Sequence, residues 1–242
     1  MDSLCQERKK QNYLVAIKLQ KVCELRQLSA GQPHANPKFF DEYKLSGFKW
    51  KNRSKIWWHV VDSAEISKTD MKKSEIEYRF RQLERQWELA CNLLFTPTRY
   101  IDKADIVVNL ADIPPPIYGK AQWDQVTIAL GAYPIGENRI AGDMWFNTKH
   151  YKLGDYPKYA AAGVTFDKFT QDGLTDFGSA GGHELGHTIG IGHSSDPAAV
   201  MAAYYKKIFP FKLHIDDEQA AEAIYNMNTS YSQKLLDKLR GR

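Results

Sequence analysis

The order of the predicted elements indicates an α+β fold. Strand-like segments come early, one long helical pattern lies between the first two of them, and two helical patterns come late. Strands and helices grouped in this way, without regular alternation, are typical of α+β proteins. At 242 residues, the chain is long enough for one well-buried domain plus an extension, and marginal for two.

Four segments have the composition of strands. Residues 55–61 (KIWWHVV) are aromatic and β-branched, and residues 105–110 (DIVVNL) are a short apolar run. Residues 125–133 (QVTIALGAY) have alternating character, and residues 138–147 (NRIAGDMWFN) form the last segment. We expect these four segments to contribute to the sheet.

Three segments of the main domain predict helices. Residues 75–94 carry apolar side chains at helical spacing, and residues 178–190 carry a histidine motif. Residues 215–225 begin with Asp216 and Asp217, whose negative charges suit the N-terminal end of a helix.

The N-terminal region predicts one more helix and a linker. Residues 12–29 have apolar side chains at amphipathic spacing, and residues 30–38 (SAGQPHANP) are turn-forming. The apolar positions are Leu14, Val15, Ile17, Leu19, Val22, Leu25 and Leu28. We therefore expect a helical extension with its linker at 1–39, a catalytic domain at 40–230 and a basic tail at 231–242.

Composition excludes several classes of protein. The net charge is 33 − 29 = +4 and is spread along the chain, so no nucleic-acid partner is predicted. No apolar run approaches the roughly 18 residues of a membrane span. The charged N-terminus predicts no secretory signal, so either the start is intracellular or the initiator Met replaces a leader. Three cysteines, Cys5, Cys23 and Cys91, make a disulfide framework unexpected.

The strongest functional signal is the segment HELGHTIGIGH. His183 and His187 are four residues apart, so on a helix both can reach one zinc ion. Glu184 lies beside the first of them and is placed to act as a general base. Gly190 could end the helix with a sharp turn, which would return His193 to the metal as a third ligand. Three neutral imidazoles leave the fourth zinc position for water.

This segment and its continuation, HELGHTIGIGHSSDPAAVM, resemble the active-site stretch of the metzincins, and within them the matrixins or matrix metalloproteinases. Weaker matches extend the resemblance over roughly residues 33–226. In order, they are Phe48-Lys49-Trp50, Ala104-Asp105-Ile106, Ala141-Gly142-Asp143, and Leu213 through Tyr225.

The resemblance implies a fold and a function. The fold is a five-stranded twisted mixed sheet with four parallel strands, residues 125–133 as the antiparallel edge strand, and a zinc cleft between that edge and the active-site helix. The function is that of a zinc-dependent endopeptidase acting on protein or peptide substrates, with one catalytic zinc. Met201 would form the floor of the site in a Met-turn. The wall of a substrate pocket would follow at Ala203, Tyr204 and Tyr205.

The chain departs from the family at its other metal sites. Poor zinc ligands occupy the positions of the structural zinc, so we expect this site to be lost; they are Tyr118, Lys120, Gly131 and Trp145. One calcium position is also expected to be lost, at Asn147 and His150. Asp105 and Asp143 match another calcium site, where they either hold Ca²⁺ or cap turns.

The N-terminal region lacks the family's inhibitory cysteine. Matrixin zymogens place a cysteine on the zinc, whereas the equivalent position here reads PHANP, at residues 33–37. Cys5 or Cys23 could reach the zinc only by a different route. His34 is another residue of this region that could contact the active-site metal, and thiol-reactive mercurials are not expected to activate the protein.

Two further functions are compatible with the same motif. One is a catalytically silent zinc protein that uses the cleft to bind a peptide or serves as a scaffold, and the lost metal sites favour it. The intact Glu184 argues against it, since a silent protein would be free to lose this residue. The other is a metalloenzyme acting on a different amide or ester.

Overall fold

A six-stranded sheet is the frame of the molecule in a computed structural model that describes residues 22–26, 43–51, 54–135 and 140–225. In chain order, the strands are β1 (Val22–Arg26), β2 (Lys55–Val60), β3 (Leu94–Pro97), β4 (Ile106–Ala111), β5 (Thr127–Ala132) and β6 (Met144–Asn147). Across the sheet, the order is β1-β5-β6-β4-β2-β3. The four strands β3, β2, β4 and β6 are parallel, whereas β5 is antiparallel to β6 and β1 is antiparallel to β5.

Five helices and a small second sheet complete the described structure. The helices are α1 (Lys73–Cys91), α2 (Tyr156–Ala161), α3 (Phe166–Gln171), α4 (Phe177–Thr188) and α5 (Ile215–Tyr225). The second sheet pairs β7 (Lys152–Gly154) in parallel with β8 (Leu174–Asp176). Short 3₁₀ turns lie at Ala64–Lys68, Ile101–Lys103 and Pro116–Tyr118. Among the described residues, no helix combines the length and the apolar character that a membrane crossing requires.

The core lies between the sheet and the long helices because both present periodic apolar faces. In β4, the buried residues Ile106, Val108 and Leu110 alternate with less buried ones, as a half-covered strand requires. Helix α1 buries residues at helical spacing, including Phe80 and Trp87. The indole Nε1 of Trp87 donates a hydrogen bond of 2.9 Å to the carbonyl of Gly182, which fixes α1 against α4.

The structure confirms the α+β fold class and the five-stranded mixed sheet implied by the resemblance. Strand β5 is antiparallel to β6 as expected, but the prediction that it is the edge strand is wrong for the described sheet, because β1 pairs along its outer side. Helix α5 has the predicted bounds, and α4 differs from the prediction by one residue at its start and two at its end. Strand β3 was not predicted, because the helical pattern was extended to Leu94. Helix α1 ends earlier, at Cys91, because the next residue, Asn92, has a left-handed conformation (φ 54°) that stops it.

The predicted N-terminal helix at 12–29 is wrong where the structure describes it. Residues 22–26 form strand β1, which pairs with β5 from Val22 opposite Ala132 to Arg26 opposite Thr127. The spacing of a short apolar segment does not distinguish a helix from a strand. The outer edge of β5 favours the strand, because its backbone N–H and C=O groups can pair with those of residues 22–26. The rest of this segment, like residues 1–21 and 27–42 as a whole, lies outside the described residues.

The predicted strand at 138–147 is shorter in the structure. Residues 136–139 lie outside the described part of the chain, and residues 140–142 form a turn before β6 begins at Met144. Both faces of β6 and β5 are buried, since the main core covers one face and a cluster containing Tyr118, Trp123 and Trp145 covers the other.

Candidate metal centre

Helix α4 carries the histidine motif and is buried along its whole length. It begins at a strong N-cap, because the Oδ2 atom of Asp176 accepts hydrogen bonds from the backbone N–H of Ser179 (2.7 Å) and from its hydroxyl (2.8 Å). The Oδ1 atom of the same carboxylate accepts the backbone N–H of Tyr156 at 3.0 Å. One buried carboxylate thus joins the start of α4 to the start of α2.

Three histidines meet at the C-terminal half of α4. His183 and His187 are one helical turn apart, and their Nε2 atoms are 3.0 Å from each other. His193 completes the group, with potential ligand atoms of all three residues within 4.8 Å of one another. Among the described residues, no other group of three or more His, Cys, Asp or Glu side chains is arranged to hold a metal ion.

A left-handed glycine brings His193 back to the other two histidines. Gly190 has φ +100°, and a Cβ atom at this position would lie 2.0 Å from the carbonyl oxygen of Phe48. The backbone N–H of Gly190 donates to the carbonyl of His187 at 2.9 Å, which closes the last turn of the helix. The chain therefore reverses at the position predicted from the sequence, and any residue with a side chain would clash there.

Backbone carbonyls orient two of the imidazole rings. The Nδ1 atom of His183 lies 2.8 Å from the carbonyl of Val200, and that of His187 lies 2.7 Å from the carbonyl of Ile191. A carbonyl can only accept, so each Nδ1 carries a proton and each Nε2 presents its lone pair to the shared space. Burial lowers the pKa of His187 to about 4 and holds the pKa of His183 well below its usual range. Two imidazoles held in this way, together with the ring of His193, provide the nitrogen donors that zinc prefers.

Met201, the predicted floor residue, packs against the helix that carries the histidines. It is fully buried, and a Cβ atom on Gly186 would lie 2.2 Å from its Sδ atom. The backbone N–H of Ser194 donates to the carbonyl of Met201 at 2.8 Å. The turn containing Met201 is therefore joined both to α4 and to the segment that follows His193.

Asp217 is a site residue that the sequence reasoning missed. Its carboxylate accepts the backbone N–H groups of Val200 (2.8 Å), Met201 (3.0 Å) and His214 (2.9 Å), and the side chain is fully buried. The sequence had indicated only a favourable charge at the start of α5. In the structure, this carboxylate fixes the turn whose Val200 carbonyl orients His183.

Glu184 points toward the side of α4 that faces β5. The residue is completely buried. A Cβ atom on Gly131 of β5 would lie 2.9 Å from Glu184 Oε2 and 2.9 Å from the Cβ atom of His187. The missing side chain at Gly131 therefore lets the strand approach the helix closely beside the histidines.

The three residues predicted to form a pocket wall come after Met201 and Ala202 in the chain. Tyr205 is anchored, because its hydroxyl oxygen accepts the backbone N–H of Asp176 at 2.7 Å, and burial raises its pKa above the ordinary value. Tyr204 is exposed and Ala203 is partly buried. Lys206 then reaches back to donate hydrogen bonds to the carbonyls of Pro197 and Ala199.

The two candidate calcium ligands cap backbone groups. Asp105 Oδ2 accepts the N–H of Trp57 at 2.9 Å, and Asp143 Oδ1 accepts the N–H of Val107 at 2.9 Å. Each contact uses one carboxylate oxygen on a strand N–H group, and the calcium site stays a prediction. Asp105 thereby joins the start of β4 to β2, and Asp143 joins the start of β6 to β4.

Two of the positions matched to the family's structural zinc, Tyr118 and Lys120, take part in side-chain hydrogen bonds with Asp124. The hydroxyl of Tyr118 donates to Asp124 at 2.6 Å and lies 3.1 Å from the hydroxyl of Thr127. Lys120 donates to the same carboxylate at 2.8 Å. Burial opposes ionisation of Asp124, but these hydrogen bonds hold its pKa well below the usual range. The indole ring of Trp145 packs in the adjoining apolar cluster.

Comparison with known families agrees with this geometry. A model of the matrixin family matches residues 49–226, which include the whole histidine site. The chain belongs to the matrixin family. This matrixin therefore belongs to a group of zinc metalloproteases, and its three-histidine cluster could hold the metal.

Individual relatives match parts of this matrixin. It is 30% identical over 194 residues to matrix metalloproteinase-15 of Homo sapiens, covering 76% of this chain and 26% of that protein. It is 44% identical over 54 residues to Homo sapiens matrilysin, covering 22% of this chain and 20% of that protein. It is 49% identical over 45 residues to matrix metalloproteinase-16 of Rattus norvegicus, covering 18% of this chain and 7% of that protein. This matrixin thus spans about a quarter of the first relative and less of the others.

Proposed function

We propose that this matrixin is a zinc-dependent endopeptidase. The observation that carries the proposal is the convergence of His183 Nε2 and His187 Nε2 with His193, while backbone carbonyls occupy the Nδ1 atoms of the first two. Imidazoles held in this way are ready to bind a metal through Nε2 without further rearrangement. Three protein ligands leave one coordination position open, which is typical of a catalytic zinc site.

The metal and Glu184 would divide the chemistry between them. When bound, zinc polarises the scissile carbonyl and lowers the pKa of the attacking water from about 15.7 to about 7. Glu184 takes the proton of that water on a carboxylate oxygen and delivers it to the amide nitrogen as the C–N bond breaks. The products are a carboxylate and an amine. The complete burial of Glu184 beside His183 and His187 supports this role.

The cleft would hold the substrate as an extended strand. The outer edge of β5, which pairs with β1 in this structure, would offer backbone N–H and C=O groups once β1 is displaced, and Gly131 brings this edge next to Glu184. A peptide that pairs with this edge would present its backbone to the metal site by strand addition. The wall at Ala203, Tyr204 and Tyr205 follows the floor residue Met201, and we propose that it receives a medium or large apolar side chain after the scissile bond.

The test is a substitution that removes the base and spares the metal ligands. Glu184→Ala is expected to lower the turnover of a denatured protein substrate, supplied in large excess, by a factor of about 10² to 10⁴. The zinc content, measured by elemental analysis after dialysis, should stay at one per chain. Glu77→Ala, a change on the half-buried face of α1, is the matched control and should leave turnover unchanged.

The outcomes separate the candidate functions. Near-native turnover by the zinc-loaded Glu184→Ala variant would show that another residue is the base. A parent chain that binds zinc but cuts no member of a peptide library would instead support the catalytically silent protein. Two tightly held zinc ions per chain would contradict the loss of the structural zinc.

A further inference from the structure

Three alternate side chains, beginning with the last residue of the proposed pocket wall, pack against helices α2 and α3. The ring centroid of Tyr205 lies 6.5 Å from that of Phe166 in α3. The ammonium of Lys207 lies 5.3 Å from the ring centroid of Tyr156 in α2 and 5.7 Å from that of Phe166. The ring of Phe209 meets that of Tyr156 edge-on, with 5.3 Å between the centroids. One pair of aromatic rings therefore contacts three positions of the segment that continues the wall.

The residues between these three positions are bound on the other side of the segment. Lys206 donates hydrogen bonds to the carbonyls of Pro197 and Ala199, in the turn that leads to the floor of the site. The backbone N–H of Ile208 donates to the hydroxyl of Ser179, in the first turn of α4, at 3.1 Å. Side chains at alternate positions of an extended chain point in opposite directions, so the segment is held from two sides.

Tyr156 and Phe166 belong to an aromatic cluster of their own, separate from the main core. Tyr156 is 4% exposed, and its ring meets that of Phe166 edge-on, with 4.9 Å between the centroids. The ring of Tyr156 also meets that of Phe169 at 5.3 Å. The backbone N–H of Tyr156 donates to Asp176, the N-cap of α4, which joins the cluster to the start of the histidine helix. The two rings are therefore a fixed support for residues 205–209.

We propose that Tyr156 and Phe166 are positioning residues that hold the pocket wall in one conformation and so make selection of the substrate residue after the scissile bond strict in size. The proposal rests on the endopeptidase function proposed above. A pocket with a mobile wall can repack around side chains of different sizes, whereas a fixed wall rejects those that do not fit. Contacts that form before the substrate arrives also remove the cost of ordering the wall on binding.

The experiment removes each ring from the full chain and keeps an apolar side chain in its place. Tyr156→Leu and Phe166→Leu are the two test variants. Tyr156→Phe, which keeps the ring, is the matched control. Lys168→Ala changes an exposed side chain of α3 and controls for effects on this helix itself.

The first measurement compares peptides that differ only in the residue after the scissile bond. For the zinc-loaded parent and variants, the ratio of kcat/KM between the best and the poorest peptide of the series is determined. This ratio should fall at least about tenfold in both leucine variants, because a loosened wall accepts more side chains. Tyr156→Phe and Lys168→Ala should keep the ratio of the parent.

The second measurement does not depend on activity. Amide hydrogen exchange of residues 204–210, followed by mass spectrometry, should become at least about tenfold faster in the leucine variants and stay unchanged in the two controls. Exchange in β4 reports on the main core, and zinc content reports on the metal ligands. Both should match the parent, which separates a loosened wall from a general loss of structure.

A change on the other side of the contact tests whether the rings act through the wall. Lys207→Ala/Phe209→Ala removes two of the side chains that rest on the rings, and it should reproduce both effects. Adding Tyr156→Leu to this double variant should change the peptide ratio little further, because the same contacts are already lost. A fully additive effect would show that Tyr156 acts by another route.

Other outcomes would overturn the proposal in distinguishable ways. Unchanged exchange of residues 204–210 in the leucine variants would show that other contacts hold the wall. Faster exchange with an unchanged peptide ratio would show that mobility of the wall does not determine selection. In both cases, the endopeptidase function would stand. A zinc-loaded parent that cuts no peptide would refute the endopeptidase function, and with it the selection by size.

Discussion

Asp217 offers the most direct test of how distant residues position the metal ligands. Its Oδ2 atom accepts the N–H groups of Val200 and His214, and its Oδ1 atom accepts that of Met201. The carbonyl of Val200 in turn orients the ring of His183 through a contact of 2.8 Å. The substitution Asp217→Asn keeps the shape of the side chain and replaces one acceptor oxygen with a donor amide.

The cost of Asp217→Asn can be worked from these contacts. The remaining oxygen can keep the bonds to Val200 and His214, whereas the new amide meets the N–H of Met201 donor to donor. One buried N–H then loses its acceptor, which costs about 1 to 3 kcal/mol, and two bonds lose their charge assistance. We expect the free energy of unfolding to fall by roughly 2 to 4 kcal/mol. Zinc affinity should fall about 10- to 100-fold, because the group that orients a ligand has moved.

Urea unfolding and a zinc titration against a competing chelator measure the two effects of Asp217→Asn. The control is Glu218→Gln, which changes the next residue of α5 at an exposed position and should cost less than about 1 kcal/mol. If Asp217→Asn unfolds like the parent and binds zinc with the same affinity, the turn is held by other contacts. The assignment of Asp217 as a positioning residue would then be wrong.

Three further changes test other parts of the structure. Gly190→Ala should cost more than about 2 kcal/mol in thermal unfolding and weaken zinc binding, because the left-handed backbone and the carbonyl of Phe48 leave no room for a methyl group. Burial raises the pKa of Glu84 from 4.5 to about 8, so the folded state keeps a proton that the unfolded state releases between these values. Stability should therefore fall as the pH rises from about 4.5 to about 8, by up to roughly 5 kcal/mol, and Glu84→Gln should flatten this dependence in urea unfolding at several pH values. Tyr118→Phe removes the hydrogen bond to Asp124 and should cost about 1 to 2 kcal/mol, equally with and without a chelator; a chelator-dependent cost would indicate a metal in this network.

Local patterns predicted the elements that carry the chemistry. The spacing of His183 and His187 and the position of Gly190 are properties of a single helix and its end, so eleven residues suffice to predict them. The bounds of α5 could also be predicted from its own residues, because acidic residues that suit a helix start stand directly before its apolar positions. The fold class followed from the order of the elements together with the family resemblance.

Long-range contacts account for what the sequence did not reveal. Residues 22–26 have a spacing compatible with a helix, and only the edge of β5, about a hundred residues later, makes them a strand. Asp217 bonds to a turn that is 16 and 17 residues earlier in the chain, and nothing in its neighbours signals this. Strand β3 was not predicted, because the end of α1 depends on the left-handed conformation of Asn92 and the sequence at Asn92 does not strongly indicate a helix end.

The position of Gly131 connects the edge of β5 with the proposed catalysis. Because it lacks a side chain, β5 can approach Glu184 and His187 closely, and the backbone edge that would receive a substrate lies beside the proposed base. The same closeness brings whatever pairs with Gly131 to the metal site, and in this structure that residue is Cys23. The contacts that orient His183 and His187 come instead from the backbone carbonyls of Val200 and Ile191. The rings of these two metal ligands are therefore oriented independently of whatever pairs with Gly131.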